Sequence, residues 1–326
     1  MNSFLKTLQA VAAAFLVLAF GGLAQASTWP EKTVRLIVAY PPGGVSDSVT
    51  RALAEQLAAQ LKVSFVVENK GGAGGTIAMA EIARAQPDGY TLVFSSISPL
   101  SLSPVLRKLS YDADTDVQPV ASVMASPVIL LGTPAFQGSA FSDIITASRE
   151  APGSVRWSTS GQGSVGHLML EQLQQLAKIE LTHIPYKGAG QQLTDGIGGQ
   201  YELISTNMSP ALMAQVESGA FRPLAVAADG PVAFLPNVPT FADLGYASAG
   251  KQSVFGFFAP AGIDAETLAR MNEAINKAAE QPAVKELLSS SHNLPLAGTS
   301  TQFTELIQAD AKANRKLIES AGLTFD

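Results

Sequence analysis

A short apolar run that ends at a proline pair and a glycine pair, and then continues with helical periodicity, most constrains the fold of this chain. The run covers residues 34–40 and is rich in β-branched side chains. After the glycines, Val49, Leu53, Leu57 and Leu61 recur at helical spacing. The pattern predicts a β-strand, a glycine turn and an α-helix, which is the repeating unit of an α/β fold.

The glycine turn of this unit lies where an anion would be held. Gly43 and Gly44 allow backbone N–H groups to approach a ligand without a Cβ in the way, and Ser46 and Asp47 are residue types that cap a first helical turn. A helix entrance combines unpaired N–H groups with the positive end of the helix dipole. An anion site and an ordinary βα turn both stay open from this stretch alone. For Asp47, helix capping is favoured over contact with a ligand ammonium group or an ordered water.

Residues 1–26 have the pattern of a secretory signal peptide. An unbroken apolar run at 11–20 follows Lys6, and residues 24–26 form an A-x-A cleavage signal. We therefore expect cleavage before Ser27 and export to a periplasm. The chain has no cysteine, which excludes a disulfide framework and a lipoprotein anchor. Its formal net charge of −6 argues against nucleic acid as a partner.

The length of the chain after the signal exceeds the usual size of a single hydrophobic core and predicts two lobes. An apolar stretch at 117–131, broken by two prolines, predicts a strand that crosses between the lobes. A second apolar run at 222–228 is expected to return the chain to the first lobe. We therefore expect lobe 1 to comprise 27–125 plus 222–326 and lobe 2 to comprise 126–221.

A second glycine-rich helix entrance lies in the expected second lobe. It contains Ser160, Gly161, Gly163 and Ser164, and a leucine-periodic helix follows. Ligands bind at the edge of an open parallel sheet where the strand carboxyl ends meet, so the turns of the βα units should converge. Two helix entrances that face one cleft from opposite lobes would form a clamp for a carboxylate.

Three other chemistries fit these motifs poorly. Gly161-x-Gly163-x-x-Gly166 matches a dinucleotide fingerprint, but no acid follows the next strand to hold a ribose, and no cofactor is expected. No serine has the flanking glycines of a hydrolase nucleophile, and the three histidines lack a metal-binding spacing. For His167, holding the glycine loop is favoured over direct ligand contact.

Several short motifs in a fixed order resemble one family of receptors over nearly the whole mature chain. They are Tyr40-Pro41-Pro42-Gly43-Gly44-x-Ser46-Asp47, Glu68-Asn69-x-x-Gly72-Ala73-Gly74-Gly75, Pro87-Asp88-Gly89-Tyr90, Gly161-x-Gly163-Ser164-x-x-His167-Leu168, Pro185-Tyr186-Lys187-Gly188, Pro236-x-Val238-Pro239-Thr240 and Ala259-Pro260-Ala261-Gly262. In this order they resemble the substrate-binding proteins of tripartite tricarboxylate transporters, the TctC-like extracytoplasmic receptors also called Bug proteins.

The resemblance implies a two-lobed periplasmic-binding-protein fold of the Venus-flytrap, type II-like class, with the ligand in a cleft between the lobes. It also implies capture of a carboxylated solute by the two glycine loops and its delivery to a membrane permease or sensor. The implied ligand-binding residues are Tyr40, Gly43, Gly44, Ser46, Asp47, Ser95, Ser160, Gly161, Gly163, Ser164 and Asn207. Val45, Tyr40 and Thr206 depart from residues common in the family, which bears on the identity of the ligand.

These observations predict a monomeric, non-enzymatic receptor for a small organic carboxylate, which is a di- or tricarboxylate, an amino acid or an aromatic acid. The expected protein partner is a membrane permease of the tripartite tricarboxylate type. The alternative is an exported α/β enzyme that acts on a carboxylated substrate. Such an enzyme needs a general base in the cleft, and Asp47 and His167 are the nearby candidates.

Overall fold

The computed structural model describes residues 29–228, 230 and 232–321. The predicted signal peptide and its cleavage site lie outside the described residues. The chain forms two mixed β-sheets, each with helices packed against it. Within the described ranges, no helix combines the length and the apolar character that crossing a membrane requires.

The first sheet has six strands in the order β11-β4-β10-β3-β1-β2. Strand β1 pairs in parallel with β2 and β3, and β10 runs antiparallel to both β3 and β4. The strands are β1 (Val34–Val38), β2 (Phe65–Asn69), β3 (Thr91–Ser96), β4 (Val117–Ser126), β10 (Ser253–Pro260) and β11 (Leu294–Pro295).

The second sheet has five strands in the order β7-β6-β8-β5-β9. Strand β6 pairs in parallel with β7 and β8, whereas β5 runs antiparallel to β8 and β9. The strands are β5 (Val128–Gly132), β6 (Arg156–Thr159), β7 (Thr182–Pro185), β8 (Leu203–Asn207) and β9 (Arg222–Ala227).

Helices follow most of the parallel strands, as the βα periodicity predicts. In chain order they are α1 (Val45–Leu61), α2 (Thr76–Ile82), α3 (Ser98–Ser101), α4 (Ser103–Leu106), α5 (Phe141–Glu150), α6 (Val165–Ala177), α7 (Ala189–Ile197), α8 (Pro210–Glu217), α9 (Ala265–Ala279), α10 (Pro282–Ser290) and α11 (Ser300–Ala321). Short 3₁₀ turns lie at Ala73–Gly75 and Ala247–Ala249.

The chain passes from the first sheet to the second between β4 and β5. The break falls at Pro127, which separates a strand of the first sheet from a strand of the second. The expected return at 222–228 is wrong, because β9 pairs antiparallel with β5 inside the second sheet. The chain re-enters the first sheet only with β10, after a long segment that packs Phe241 and Ala249 into the second core.

Each sheet has its own apolar core. Leu36, Phe94 and Phe257 are fully buried in the first, and Trp157 and Leu173 in the second. Burial of such side chains stabilises each core by about 1.5–3 kcal/mol per large residue. The two cores therefore hold β1 and β6 in place independently, and with them the turns that follow these strands.

Candidate functional site

The helix entrance after β1 has no side-chain cap. Its N-cap residue is Gly44, and the expected capping role of Ser46 and Asp47 is wrong because both lie inside the first turn of α1. In the described part of the chain, the hydrogen bonds leave the backbone N–H groups of Val45 and Ser46 unused. The first turn of α1 therefore offers two donors at the positive end of the helix dipole.

Asp47 braces this entrance from within. Its Oδ1 accepts hydrogen bonds from Arg51 Nε at 3.0 Å and Asn69 Nδ2 at 2.9 Å, and its Oδ2 accepts one from Gly43 N at 3.2 Å. Burial acts to raise the pKa of Asp47, but these donors outweigh it and hold the pKa below its usual range. The N–H of Gly43 is therefore used by its own loop.

The helix entrance after β6 is capped by a serine. Ser164 is the N-cap residue of α6, and its Oγ accepts a hydrogen bond from His167 N at 3.3 Å. Gly163 N donates to His167 Nδ1 at 3.2 Å, so this glycine N–H is also used by its own loop. Among the described residues, no hydrogen bond takes the N–H groups of Val165 and Gly166, which point out of the first turn.

Two stacked histidines support the second entrance. The rings of His167 and His183 lie 4.2 Å apart with an interplanar angle of 12°, and His183 Nε2 lies 2.7 Å from Thr159 Oγ1. Burial, together with the neighbouring His167, lowers the pKa of His183 to about 3. His183 is therefore neutral at pH 7 and adds no positive charge beside the loop.

Both helix entrances face one cavity of about 40 Å³ between the sheets. Among the described residues that line this cavity, none is an aspartate, glutamate, lysine, arginine or histidine. The lining residues are Tyr40, Pro41, Gly44, Val45, Ser46, Ser96, Ser98, Val128, Ser160, Ser164, Val165, Gly166, Ala189, Ser205, Thr206, Asn207, Ser253 and Phe255. We call this space the inter-sheet cavity.

The walls of the inter-sheet cavity carry hydroxyl groups from both sheets. Tyr40 Oη donates to Ser96 Oγ at 2.8 Å, and burial raises the pKa of Tyr40, so the phenol stays protonated. Ser253 Oγ lies 3.5 Å from Asn207 Oδ1, which joins the first sheet to the second. Thr206 Oγ1 is buried and has no hydrogen-bond partner among the described residues. A buried hydroxyl of this kind is a group that a ligand can satisfy.

The structure brings six of the predicted site residues to this cavity: Tyr40, Gly44, Ser46, Ser160, Ser164 and Asn207. Five others do not line it, namely Gly43, Asp47, Ser95, Gly161 and Gly163. The N–H groups of Gly43 and Gly163 and the carboxylate of Asp47 are already used within the loops. Ser95 precedes Ser96 on β3, and successive side chains of a strand point to opposite faces.

Sequence reasoning missed several lining residues. Ser205, Thr206 and Asn207 are consecutive in β8, but only Asn207 was expected, and Ser253 with Phe255 comes from β10. The alternation of β10 is a usable signal, since its polar Ser253 and aromatic Phe255 share one face of the strand. The pairing that brings β10 beside β3 is not readable from the sequence.

Glycine loops of the two sheets touch across the cleft. A Cβ added to Gly74 would lie 2.7 Å from the backbone oxygen of Gln162, and one added to Gly161 would lie 2.9 Å from Gly74 N. A Cβ on Gly188 would collide with Pro41 Cδ. Larger residues at these positions would keep the two lobes apart, so glycine is required for this degree of closure.

The chain is similar to known proteins over most of its length. Residues 49–323 match the family model described as tripartite tricarboxylate transporter family receptor. The chain is 33% identical to Protein BugT of Bordetella pertussis over 91% of each protein. In Rhodopseudomonas palustris, a structure solved with adipate has a TM-score of 0.85 and 28% identity, covering 91% of this chain and 100% of that one.

The malate-bound structure of MatC from the same organism has a TM-score of 0.84 and 27% identity, covering 89% of this chain and 100% of that one. The two-lobed architecture expected from the sequence is confirmed by these similarities and by the two sheets. The chain belongs to the tripartite tricarboxylate transporter receptor family, the TctC and Bug group of periplasmic solute receptors.

Proposed function

We propose that this protein binds a small organic carboxylate in the inter-sheet cavity, with the carboxylate held between the first turns of α1 and α6. The observation that carries the proposal is the convergence of two helix N-termini, one from each sheet, on a cavity lined by hydroxyl groups. The unused N–H groups of Val45, Ser46, Val165 and Gly166 are the donors. The adipate-bound and malate-bound relatives support a carboxylate as ligand.

These contacts supply enough binding free energy to hold a carboxylate without a cationic side chain. A helix end stabilises an anion by about 0.3–2 kcal/mol, and each charge-assisted hydrogen bond adds about 1.5–3 kcal/mol. Several such contacts together reach the roughly −8 kcal/mol of a micromolar complex. The hydroxyl of Thr206, which lacks a partner among the described residues, supplies a further contact.

The lobes must separate for such a ligand to enter. A cavity of about 40 Å³ is far smaller than the roughly 300–1,000 Å³ of typical small-molecule sites. The glycine contacts across the cleft describe a closed arrangement. A hinge motion at Pro127 and at the second crossing before β10 would open the cleft, which is the usual mechanism of two-lobed receptors.

We also propose where the protein resides and which partner receives its ligand. The mature chain begins at Ser27, resides in the periplasm as a monomer and hands its ligand to a permease of the tripartite tricarboxylate type. It is a receptor and not an enzyme. The two candidate bases support this, since Asp47 is held by Arg51, Asn69 and Gly43, and the Nδ1 of His167 accepts a hydrogen bond from Gly163.

Isothermal titration calorimetry of residues 27–326 tests the proposal. The panel contains adipate, malate, citrate, aspartate and benzoate, and 1,6-hexanediol serves as an uncharged control for adipate. We expect micromolar binding of at least one carboxylate, no heat with the diol, and no change in the bound compound after long incubation. A folded protein that binds none of these carboxylates, or one that converts its ligand, would overturn the proposal.

A further inference from the structure

A large concavity lies on the first lobe, outside the inter-sheet cavity. It has a volume of about 840 Å³ and is bordered by α2, by the segment after α4 and by the outer end of β1. We call it the basic groove. Its lining residues are Arg35, Lys70, Thr76, Ile77, Ala80, Glu81, Arg84, Ala85, Arg107, Lys108, Leu109, Ser110 and Tyr111.

The charge of the basic groove is opposite to that of the whole protein. Arg35, Lys70, Arg84, Arg107 and Lys108 line it together with one carboxylate, whereas the chain has a formal net charge of −6. The carboxylate is that of Glu81 on α2, which forms ion pairs with Arg35 and Lys70. The other three form no ion pair with any carboxylate in the described ranges.

An exposed apolar side chain lies among these cations. Ile77 is 49% exposed on the surface of α2, and the half-buried Leu109 also lines the groove. A small inorganic anion has no apolar group that could pack against such a surface. A polypeptide that alternates acidic and apolar side chains would match both the charge and the apolar strip.

One residue of the basic groove also reaches the contact that closes the cleft. Arg107 Nη2 donates to Ala73 O at 3.0 Å and to Thr76 Oγ1 at 3.2 Å, which ties it to the glycine loop of the first lobe. The position of a Cβ on Gly163, in the second lobe, is 4.0 Å from the same nitrogen. The wall of the groove therefore continues into the interface between the two lobes.

We propose that the basic groove is a docking surface for an acidic, partly apolar segment of a partner protein. The concave shape favours a polypeptide over a membrane surface, because cations inside a groove cannot all reach a flat layer of lipid headgroups. Docking beside Arg107 would place the partner next to the interface between the lobes, where an open and a closed receptor differ.

Fluorescence anisotropy with a fluorescein-labelled deca-glutamate peptide tests this proposal on residues 27–326. The test variant is Arg84→Glu with Lys108→Glu, two exposed positions in the groove. The matched control is Arg270→Glu with Lys277→Glu on α9, which makes the same change in net charge away from the groove. Circular dichroism and thermal melts confirm that both variants fold.

We expect the groove variant to bind the peptide about tenfold more weakly than the wild type, and the control to stay within about twofold. Rising salt should weaken wild-type binding. Equal losses in the two variants, or no peptide binding by the wild type, would overturn the proposal. Binding to phosphatidylglycerol vesicles without binding to the peptide would overturn it in favour of a membrane surface.

Discussion

The two helix entrances present the same backbone donors to the inter-sheet cavity but are supported by different chemistry. The first has a glycine N-cap and is braced by a charged cluster of Asp47, Arg51 and Asn69. The second has a serine N-cap and is braced by two stacked histidines. The difference shows that the orientation of the N–H groups is the shared requirement, and that the fold meets it in each lobe with whichever side chains pack there.

Both supports also remove one glycine N–H from ligand binding. Asp47 takes the N–H of Gly43, and His167 takes that of Gly163. The donors left for a ligand lie two and three residues further on, inside the helices. The glycines therefore shape the loops, while the residues that follow the N-caps face the cavity.

The largest loss of carboxylate affinity is expected when one backbone N–H group is removed from either helix entrance. Val45→Pro and Val165→Pro each delete one donor, and proline is tolerated at the first position of a helix. The preceding residues are extended, with ψ of 171° at Gly44 and 164° at Ser164, as a residue before proline requires. We expect each variant to lose about 1.5–3 kcal/mol of carboxylate affinity, measured by calorimetry.

The control for these variants is Ala265→Pro, at the first position of α9 and away from the cleft. The preceding Asp264 is also extended, with ψ of 149°. This variant should bind the carboxylate as the wild type does. A loss in only one of the two entrance variants would show that the ligand uses one helix end, and equal losses in all three would point to a general effect of proline.

Loss of the charge at the first entrance should destabilise that entrance. Asp47→Asn leaves an amide group facing the donors of Arg51 and Asn69, so we expect the free energy of unfolding at pH 7 to fall by about 1–3 kcal/mol in urea titrations. Asp264→Asn is the matched control, because asparagine and aspartate cap a helix equally well. Equal stability of Asp47→Asn and wild type would contradict the bracing role.

The two supports should lose their contributions to the free energy of unfolding in different pH ranges. The pKa of His183 is about 3, against about 6.5 when unfolded, so below pH 6.5 the unfolded chain takes up a proton that the folded protein does not. Stability is therefore lost as the pH falls from 6.5 towards 3, by up to about 1.4 kcal/mol per pH unit. The lowered pKa of Asp47 means that its contribution is lost only below about pH 4.

Urea titrations at pH 7, 6 and 5 measure this difference. His183→Gln should flatten the pH dependence of the free energy of unfolding, and Asp47→Asn should run parallel to the wild type across this range. An unchanged slope in His183→Gln would show that another group carries the acid sensitivity.

Thr206 on the second sheet offers the ligand a hydroxyl group in addition to the helix N–H groups. Thr206 Oγ1 is buried and has no partner among the described residues, so Thr206→Val should leave the free energy of unfolding unchanged or slightly raised. We expect carboxylate affinity to fall by about 1 kcal/mol in calorimetry, because one hydrogen bond to the ligand is lost. Unchanged affinity would mean that the hydroxyl does not contact the ligand.

The smallest effect is expected at the exposed edge of the charged support. Arg51 is half exposed, and its ion pair with Asp47 spans one helical turn. Arg51→Met should lower the free energy of unfolding by only about 0.3–1 kcal/mol, and this loss should shrink at high salt. A loss as large as that of Asp47→Asn would show that the guanidinium group, and not Asn69 or the Gly43 N–H, supplies most of the brace.

Local patterns predicted the βα units well, because a strand, a glycine turn and a helical repeat are encoded within a few residues. The entrances at Gly44 and Ser164 and the N-cap at Asp264 follow from such patterns. Thr299 and Gln302 have the spacing of a capping box and form its two reciprocal hydrogen bonds. These features depend on neighbours in sequence and not on the rest of the fold.

Features that depend on distant strands were not predicted. Strand β9 was assigned to the wrong sheet because nothing within residues 222–227 identifies β5 as its partner. Ser95 was expected at the site, whereas its neighbour Ser96 lines the cavity, because the face of β3 that meets the cavity is decided by β10 and by the second lobe. Which N–H groups stay unused could also not be read, because it depends on the side chains of Asp47 and His167.

The proposed binding mode is best tested by a crystal structure of residues 27–326 with the carboxylate identified by calorimetry. We expect the oxygens of one carboxylate group to lie within about 3.2 Å of backbone nitrogens in the first turns of both α1 and α6. A carboxylate held by only one helix end, or bound outside the inter-sheet cavity, would contradict it.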